Sequence, residues 1–307
     1  MEGVMMRSKA RWVEHGEKPS KYFVNLEKRN YVNKAITHLQ NSRGENLRNQ
    51  EQIMEETFKF YSNLYECKDN NINMEDLEQH LSRSDFPVLT QEQLQKLEGR
   101  LTYSEILAAL KRMPNNKSPG SDGFTTEFWK FFFQDLCEFL LRSINYSYEK
   151  GELSVTQRLG IITLLPKGNK PKQFLKNWRP ISLLNITYKL ASSCIAERMK
   201  HILPSLINDD QKGFMKGRYI GENIRQLYDI ILYTELYNKP GMLLLIDFEK
   251  AFDSVSHNFI FKTLDFLNFG SSLKRWIKLL YNKSQSVVMV NGNASKQFNL
   301  SRGGKTR

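Results

Sequence analysis

Met242, Leu243, Leu244, Leu245 and Ile246 form an unbroken apolar run that follows a Lys239-Pro240-Gly241 turn signal and ends in a carboxylate at Asp247. A half-exposed strand would alternate polar and apolar residues, so this run reads as a central strand covered on both faces. The period changes after Asp247: Phe248, Ala251, Phe252 and Val255 fit a turn of helix or a tight connection ahead of a helix capped at Ser256. Asp247 is therefore expected at the carboxyl end of a buried strand, where mixed sheets present ligand-binding groups. A buried, unpaired carboxylate is costly, so it should meet a cation. With Asp253 or Glu249 close by, a divalent metal handling phosphate fits. An aspartate that caps the next turn, with Asp253 on a solvated face, fits the spacing equally well.

The charge balance bears on which partner such a carboxylate serves. Lys and Arg outnumber Asp and Glu by 45 to 33, a net charge of +12 over 307 residues, which favours a polyanionic partner. The excess is concentrated. No acid lies between Glu152 and Glu197, while Arg158, Lys167, Lys170, Lys172, Lys176, Arg179 and Lys189 do. Cations that repel one another on a folded surface usually face a polyanion. The 40% hydrophobic content suffices for real cores. Cys67, Cys137 and Cys194 are isolated and lack CxxC spacing, which suggests neither a disulfide framework nor a zinc site and implies a reducing compartment, cytoplasmic or nuclear. No apolar stretch approaches the ~18 residues of a membrane span, and the N-terminus lacks a signal-like apolar core.

Along the chain, Arg7–Arg29 reads as a basic, mostly helical segment with Trp12, Tyr22, Phe23 and Leu26 on one stripe. Ala35–Leu39 and Glu45–Leu47 flank a Ser42-Arg43-Gly44 turn as a small hairpin, and Glu51–Tyr65 follows as a helix with Ile53, Met54, Thr57, Phe58, Tyr61 and Leu64 near one face. Asp69–Asn73 is the best candidate for a mobile link. Capping boxes at Thr90–Gln93 and Thr102–Glu105 start two helices. A glycine-bearing loop, Asn115–Phe124, with Lys117, offers backbone N–H groups to phosphate. Thr126–Tyr148 reads as one long helix with Phe131, Phe132 and Phe139 in the core. Leu159–Leu165 is a strand ending at Pro166-Lys167-Gly168, and Trp178-Arg179-Pro180 returns after a flexible basic loop. Helices are expected over Tyr188–Ile202, Gly221–Tyr237, Ser256–Phe269 (closed by Gly270) and Ser272–Tyr281. Gln285–Val290 and Lys296–Leu300 around Asn291-Gly292-Asn293 form a hairpin.

Four blocks resemble one family. LIDFEKAFDSV closely resembles the first palm motif of reverse transcriptases of LINE-type non-LTR retrotransposons. KSPGSDGF is similar to the loop ahead of the fingers in LINE and group II intron polymerases, LLPKG with NWRPISLLN to the fingers, and QKGFMKGR to the segment between fingers and palm that touches template. WVEHGEKPSKYFVNLEKR resembles the segment preceding the polymerase domain. The resemblance implies an α+β, right-hand polymerase fragment with fingers and a partial palm. Its parts would be a mainly helical extension over 1–85, a helical lead-in over 86–150 and a partial reverse transcriptase domain over 151–307.

By the same resemblance Asp247 is the catalytic metal ligand, Phe248 lends its carbonyl, and Phe252 is the steric gate against a ribose 2′-OH. Lys167 and Arg179 grip the incoming triphosphate, Arg bidentately and Lys as a point charge. Lys117, Gly213, Lys216 and Arg218 contact the template. The intact family's cofactor is Mg²⁺, and its partners are an RNA template, a DNA primer and dNTPs. The likeness extends to Ser301-Arg302-Gly303 and departs at Gly304, where relatives continue Val-Arg-Gln-Gly-Cys-Pro. No aspartate pair follows, and Asp209-Asp210, in a loop ahead of the first motif, is not that pair. Two-metal nucleotidyl transfer needs carboxylates holding ions roughly 3.5–4 Å apart. The expectation is therefore a truncated RNA-directed DNA polymerase, inactive as this chain. The alternative is a non-catalytic nucleic-acid-binding protein that keeps the basic fingers surface.

Overall fold

The computed structural model describes residues 35–67, 79, 87 and 89–304. The expected helix within Arg7–Arg29, the link at Asp69–Asn73 and the divergent Lys305-Thr306-Arg307 lie outside the described residues. Helices and one principal sheet alternate, which is the α+β character expected from the sequence. No described helix is long and apolar enough to cross a membrane.

In chain order, β1 (Leu39–Gln40) and β2 (Asn46–Leu47) form a short antiparallel hairpin before α1 (Gln50–Tyr65). Helices α2 (Gln91–Leu97), α3 (Tyr103–Arg112), α4 (Thr126–Phe131), α5 (Phe133–Lys150) and the short α6 (Val155–Arg158) lead into β3 (Leu159–Pro166). After β4 (Trp178–Leu183) come α7 (Ile186–Lys200), α8 (Leu203–Leu206), α9 (Gly221–Leu236), α10 (Ala251–Ser254), α11 (His257–Phe266) and α12 (Ser271–Tyr281). Strands β5 (Gln285–Val290), β6 (Asn293–Ala294) and β7 (Phe298–Asn299) follow. The five-stranded sheet runs β4-β3-β5-β6, with β7 also on β5. Pro180 lies in β4, an edge strand, where its missing N–H costs no ladder bond. Asn291 and Gly292, at φ 51° and 86°, make the two-residue turn between β5 and β6. The return strand is split: Asn293 and Ala294 pair with Val290 and Met289, whereas Phe298 and Asn299 pair with Ser286 and Gln285.

The chain gathers into two compact units. The first is Met1–Tyr61, Ile162–Ile181 and Val287–Lys296. Its α1 buries Ile53, Thr57 and Tyr61 at i, i+4 and i+8, the stripe read from the sequence. The Asn291 side-chain amide ties the hairpin turn to the N-terminal strand region, accepting from Ile36 N and donating to Ile36 O, each at 2.9 Å.

The second unit is Ser62–Ile161, Ser182–Ser286 and Gln297–Arg307. Its core centres on α7, which buries Ile186, Tyr188, Leu190, Ala191, Cys194 and Ile195. A helix apolar on most of its faces belongs inside other helices, and burial pushes the Cys194 thiol up to about 12. Both expected capping boxes form, at Thr90 and Thr102, and a third, Ser154 with Gln157, starts α6. Glu105 serves twice. As N3 of its box it accepts from Thr102 N, and it receives a two-pronged ion pair from Arg198 at 2.6 and 3.0 Å. The same guanidinium donates to the carbonyls of Leu97, Glu98, Gly99 and Arg100, joining α7 to the end of α2.

Several expectations are corrected. The helix over Thr126–Tyr148 breaks at Phe132, and Phe131, Phe132 and Phe139, expected in the core, are exposed, 79%, 39% and 68%. The buried stripe of α5 is instead Phe133, Leu140, Ile144, Ser147 and Tyr148, and residues 131 and 139 fall off it. Gly270 does not close α11. Asn268 takes the left-handed conformation (φ 52°), and Gly270 caps the start of α12. The loop from Lys167 to Asn177 is tied down, with Trp178 Nε1 donating to Lys172 O at 2.7 Å and Asn177 Nδ2 to Pro171 O at 2.8 Å. The largest correction is the run before Asp247. Residues 241–248 form no strand and are exposed, Met242 at 93% and Leu245 at 81%. A run without alternation becomes a central strand only when neighbours supply a ladder on both sides. No described strand pairs with it.

Burial alone would raise the Glu105 pKa, but hydrogen bonds from Arg198 and Thr102 outweigh it and hold the carboxylate below its usual range. A depressed carboxylate stabilises the fold fully above its unfolded pKa, and that contribution is lost as pH falls through the folded value. Arg198→Ala should therefore cost about 3 kcal/mol near neutral pH in urea unfolding. The gap to the parent should narrow as pH falls below the ordinary carboxylate range. A gap that stays constant with pH would contradict this pairing.

Candidate nucleotide and nucleic-acid site

Lys167 and Arg179 occupy one end of neighbouring strands in the first unit. β3 ends at Pro166, Lys167 follows it, and Lys167 N donates to Asn177 O at 2.8 Å just before β4 begins at Trp178. Arg179, the second residue of β4, is exposed. Lys167 Nζ donates to Lys176 O at 2.8 Å, a neutral acceptor that leaves its charge uncompensated. Lys176 lies over the Phe174 ring at 5.6 Å. Among the described residues, no carboxylate pairs with Lys167, Lys170, Lys176 or Arg179. Two other cations of the acid-free stretch do find compensation: Arg158 pairs with Glu152 at 2.7 Å, and Lys189, lowered by burial, feels Asp122.

Two of the quoted blocks meet in the second unit. Asn185, at the end of NWRPISLLN and 2% exposed, accepts at Oδ1 from Ser121 Oγ (3.2 Å) and Asp122 N (3.3 Å) of the KSPGSDGF loop. Its Nδ2 donates to Thr156 O at 3.2 Å. A Cβ at Gly120 would collide with the side chain and backbone of Asn185, so the close approach requires glycine here. Lys117 stands exposed on this loop. Nothing in the sequence pattern alone paired Asn185 with Gly120.

The QKGFMKGR loop is built around Arg218. Its guanidinium donates to the carbonyls of Pro204, Ile207, Asn208 and Gln211 at 2.6 to 3.0 Å and pairs with Asp209 at 3.1 Å. Those bonds spend the fork on residues 204–211, just ahead of and at the start of the loop, whereas Lys216 is exposed and Gly213 half-buried. Phe214 projects from the loop at φ 62° and meets Phe252 edge-on, with centroids 5.7 Å apart. The residue expected as a sugar gate thus has an aromatic neighbour from a second quoted block.

Asp247 is exposed and belongs to no regular element, and Phe248 beside it is 76% exposed. Asp253 faces elsewhere: Tyr65 Oη donates to its Oδ1 at 3.3 Å, and burial raises its pKa against the opposing pull of Tyr65 and Lys250. Ser301, Arg302 and Gly303 clasp this region. Ser256 and Arg302 form an antiparallel bridge, Gly303 N donates to Val255 O at 2.8 Å, and Arg302 Nε donates to Leu64 O at 2.6 Å. No three His, Cys, Asp or Glu side chains gather to hold a metal ion among the described residues. The residues around Asp247 therefore do not fit the divalent-ion pair that the resemblance implied.

Residues 165–305 match the family model described as reverse transcriptase (RNA-dependent DNA polymerase). Over 301 residues the chain is 32% identical to the "Transposon TX1 uncharacterized 149 kDa protein" of Xenopus laevis, matching 98% of this chain and 23% of that one. It is 29% identical over 179 residues to the "Probable RNA-directed DNA polymerase from transposon BS" of Drosophila melanogaster, 55% of this chain and 20% of the relative. It is 27% identical over 155 residues to the "Probable RNA-directed DNA polymerase from transposon X-element" of the same fly, 50% of this chain and 17% of the relative. The chain spans less than a quarter of the length of these relatives.

The Asn185 junction can be checked by stability. Gly120→Ala should lower the unfolding free energy by about 2 kcal/mol through overpacking, and Asn185→Ala by about 1–3 kcal/mol through orphaned partners. The double variant should lose less than the sum. Gly123→Ala, at φ +76° in open space, should cost only about 1 kcal/mol. Equal losses for Gly120→Ala and Gly123→Ala would remove the close approach as the reason for glycine.

Proposed function

We propose, on the premise that residues 165–305 are a reverse transcriptase domain of the kind carried by non-LTR transposons, that this chain binds RNA and nucleoside triphosphate through its fingers and does not itself polymerise. The observation that carries the reading is the contrast between two charge settings. Lys167, Lys170, Lys176 and Arg179 stand around the clasped end of β3 and β4 without carboxylate partners among the described residues. Uncompensated cations held by backbone bonds suit phosphate, with Arg179 as the planar fork and Lys167 as the point charge.

The carboxylate setting supports the second half. The reverse transcriptase family uses divalent metal ions, and nucleotidyl transfer depends on carboxylates that fix them. Asp247 stands exposed on an irregular segment, and Asp253 is engaged by Tyr65. Phe248 shares that setting, whereas Phe252, in α10, meets Phe214 edge-on. The architecture we infer is a fingers region with the first part of a palm, and Lys117, Gly213 and Lys216 as template contacts. Arg218 would act on the template only indirectly, by shaping its loop. RNA template, DNA primer and dNTP are the partners of this reading, in cytoplasm or nucleus.

Primer extension on an RNA template with Mg²⁺ should give no product from the 307-residue chain. RNA affinity should fall steeply with salt, and Lys167→Gln with Arg179→Gln should reduce the log–log slope by about 1.4, from roughly 0.7 per single-strand phosphate contact. Asp247→Asn should leave that slope unchanged. Robust synthesis would overturn the inactivity, and an unchanged slope in the double variant would overturn the fingers as the binding surface.

A further inference from the structure

A second cationic concavity lies wholly within the second unit. Helices α11 and α12, with the chain at Leu300 and Ser301, border a groove of about 810 Å³. The α12 sequence SSLKRWIKLLY creates it by its spacing: Leu273, Trp276, Leu279 and Leu280 are buried, which turns Lys274, Arg275 and Lys278 outward. Two lining cations are spent on acids, Lys274 on Asp265 at 2.8 Å and Lys283 on Glu152 at 3.0 Å. Arg275 is exposed and pairs with no carboxylate among the described residues, and Lys278, also exposed, makes no ion pair there although it helps hold Asp265 below the usual carboxylate range.

Rings flank these charges. Lys278 Nζ lies 5.9 Å from the centre of Phe261, and Arg275 lies 5.4 Å from that of Tyr148, a core ring stacked on Trp276 that does not line the groove. Phe261 and Tyr281 meet edge-on at 6.3 Å inside the groove, and His257 tilts onto Tyr281 at 4.5 Å. Outward cations interleaved with the half-buried rings of Phe261 and Tyr281 along a trough suit a flexible strand that carries both phosphates and base faces. A flat anionic surface would not reach rings recessed between two helices, and an acidic peptide offers no stacking partner. We propose that the α11–α12 groove is a second binding surface for single-stranded nucleic acid, used independently of Lys167 and Arg179. It goes beyond the fingers reading and does not require the fingers to bind.

The test is fluorescence anisotropy of a labelled oligouridine on the full chain across a salt series. Arg275→Gln with Lys278→Gln should weaken binding and lower the log–log slope by about 1.4, and Arg275→Lys with Lys278→Arg should retain the slope. Phe261→Leu should weaken binding roughly tenfold with the slope intact, the signature of lost stacking. The same decrements should appear in a Lys167→Gln, Arg179→Gln background. Loss of binding in the fingers variant, with the α12 pair unchanged, would overturn the groove and leave the fingers standing. Loss only in the α12 pair would support the groove and sink the fingers. Vesicles of anionic lipid that bind more tightly than oligouridine, through the same pair, would also overturn it.

Discussion

One buried amide ties three segments of the second unit together. Asn185 sits where β4 ends and α7 begins, and its side chain is shared by the glycine loop at Ser121 and Asp122 and by Thr156 at the approach to β3. A buried polar group must be satisfied, and here each prong belongs to a different segment. The acceptance is local and directional, so α7, the β3 lead-in and the loop are set against one another by hydrogen-bond geometry as well as by packing. Gly120 completes the arrangement because no side chain fits against Asn185.

Legibility in the sequence followed the range of the interaction. Capping boxes, the i, i+4 stripe of α1, the β3 strand and the Asn291-Gly292 turn were readable because each is settled within a few residues. The Met242–Ile246 run misled for the opposite reason. Its apolar content is genuine, but burial needs a ladder and two covering layers, and neither is encoded in five consecutive residues. Helix α9 makes the same point. It forms over the expected residues yet buries none of them, leaving Ile224, Tyr228, Leu232 and Leu236 exposed. The aromatics of α4 and α5 failed more modestly, since a cluster of Phe residues says apolar while the register says which of them face inward.

The candidate site divides along the same line. Lys167 and Arg179 were singled out by the family resemblance within a run of cations without acids, and they stand at one end of the neighbouring strands β3 and β4. Asp247 was found from a strand end that does not form. Asn185, Arg198 and Tyr65 were missed, because their partners Asp122, Glu105 and Asp253, which are 63, 93 and 188 positions away, leave no trace in spacing. Ser301-Arg302-Gly303, quoted only as a point where a resemblance ends, turns out to clasp the region just after Asp247. A carboxylate on an unpaired segment keeps its hydration and its mobility, whereas stabilising developing charge requires groups fixed beforehand. Cations can act on a polyanion from a flexible stem, which is why the proposed reading keeps binding and drops catalysis.

The decisive question is whether the backbone around Asp247 is paired, and hydrogen–deuterium exchange at dilute protein concentration reads it directly. Amides of residues 242–248 should exchange within seconds at neutral pH, while those of α7 stay protected for hours or longer. Protection of 242–248 matching that of α7 would mean a formed, buried strand carrying Asp247, and would contradict the account.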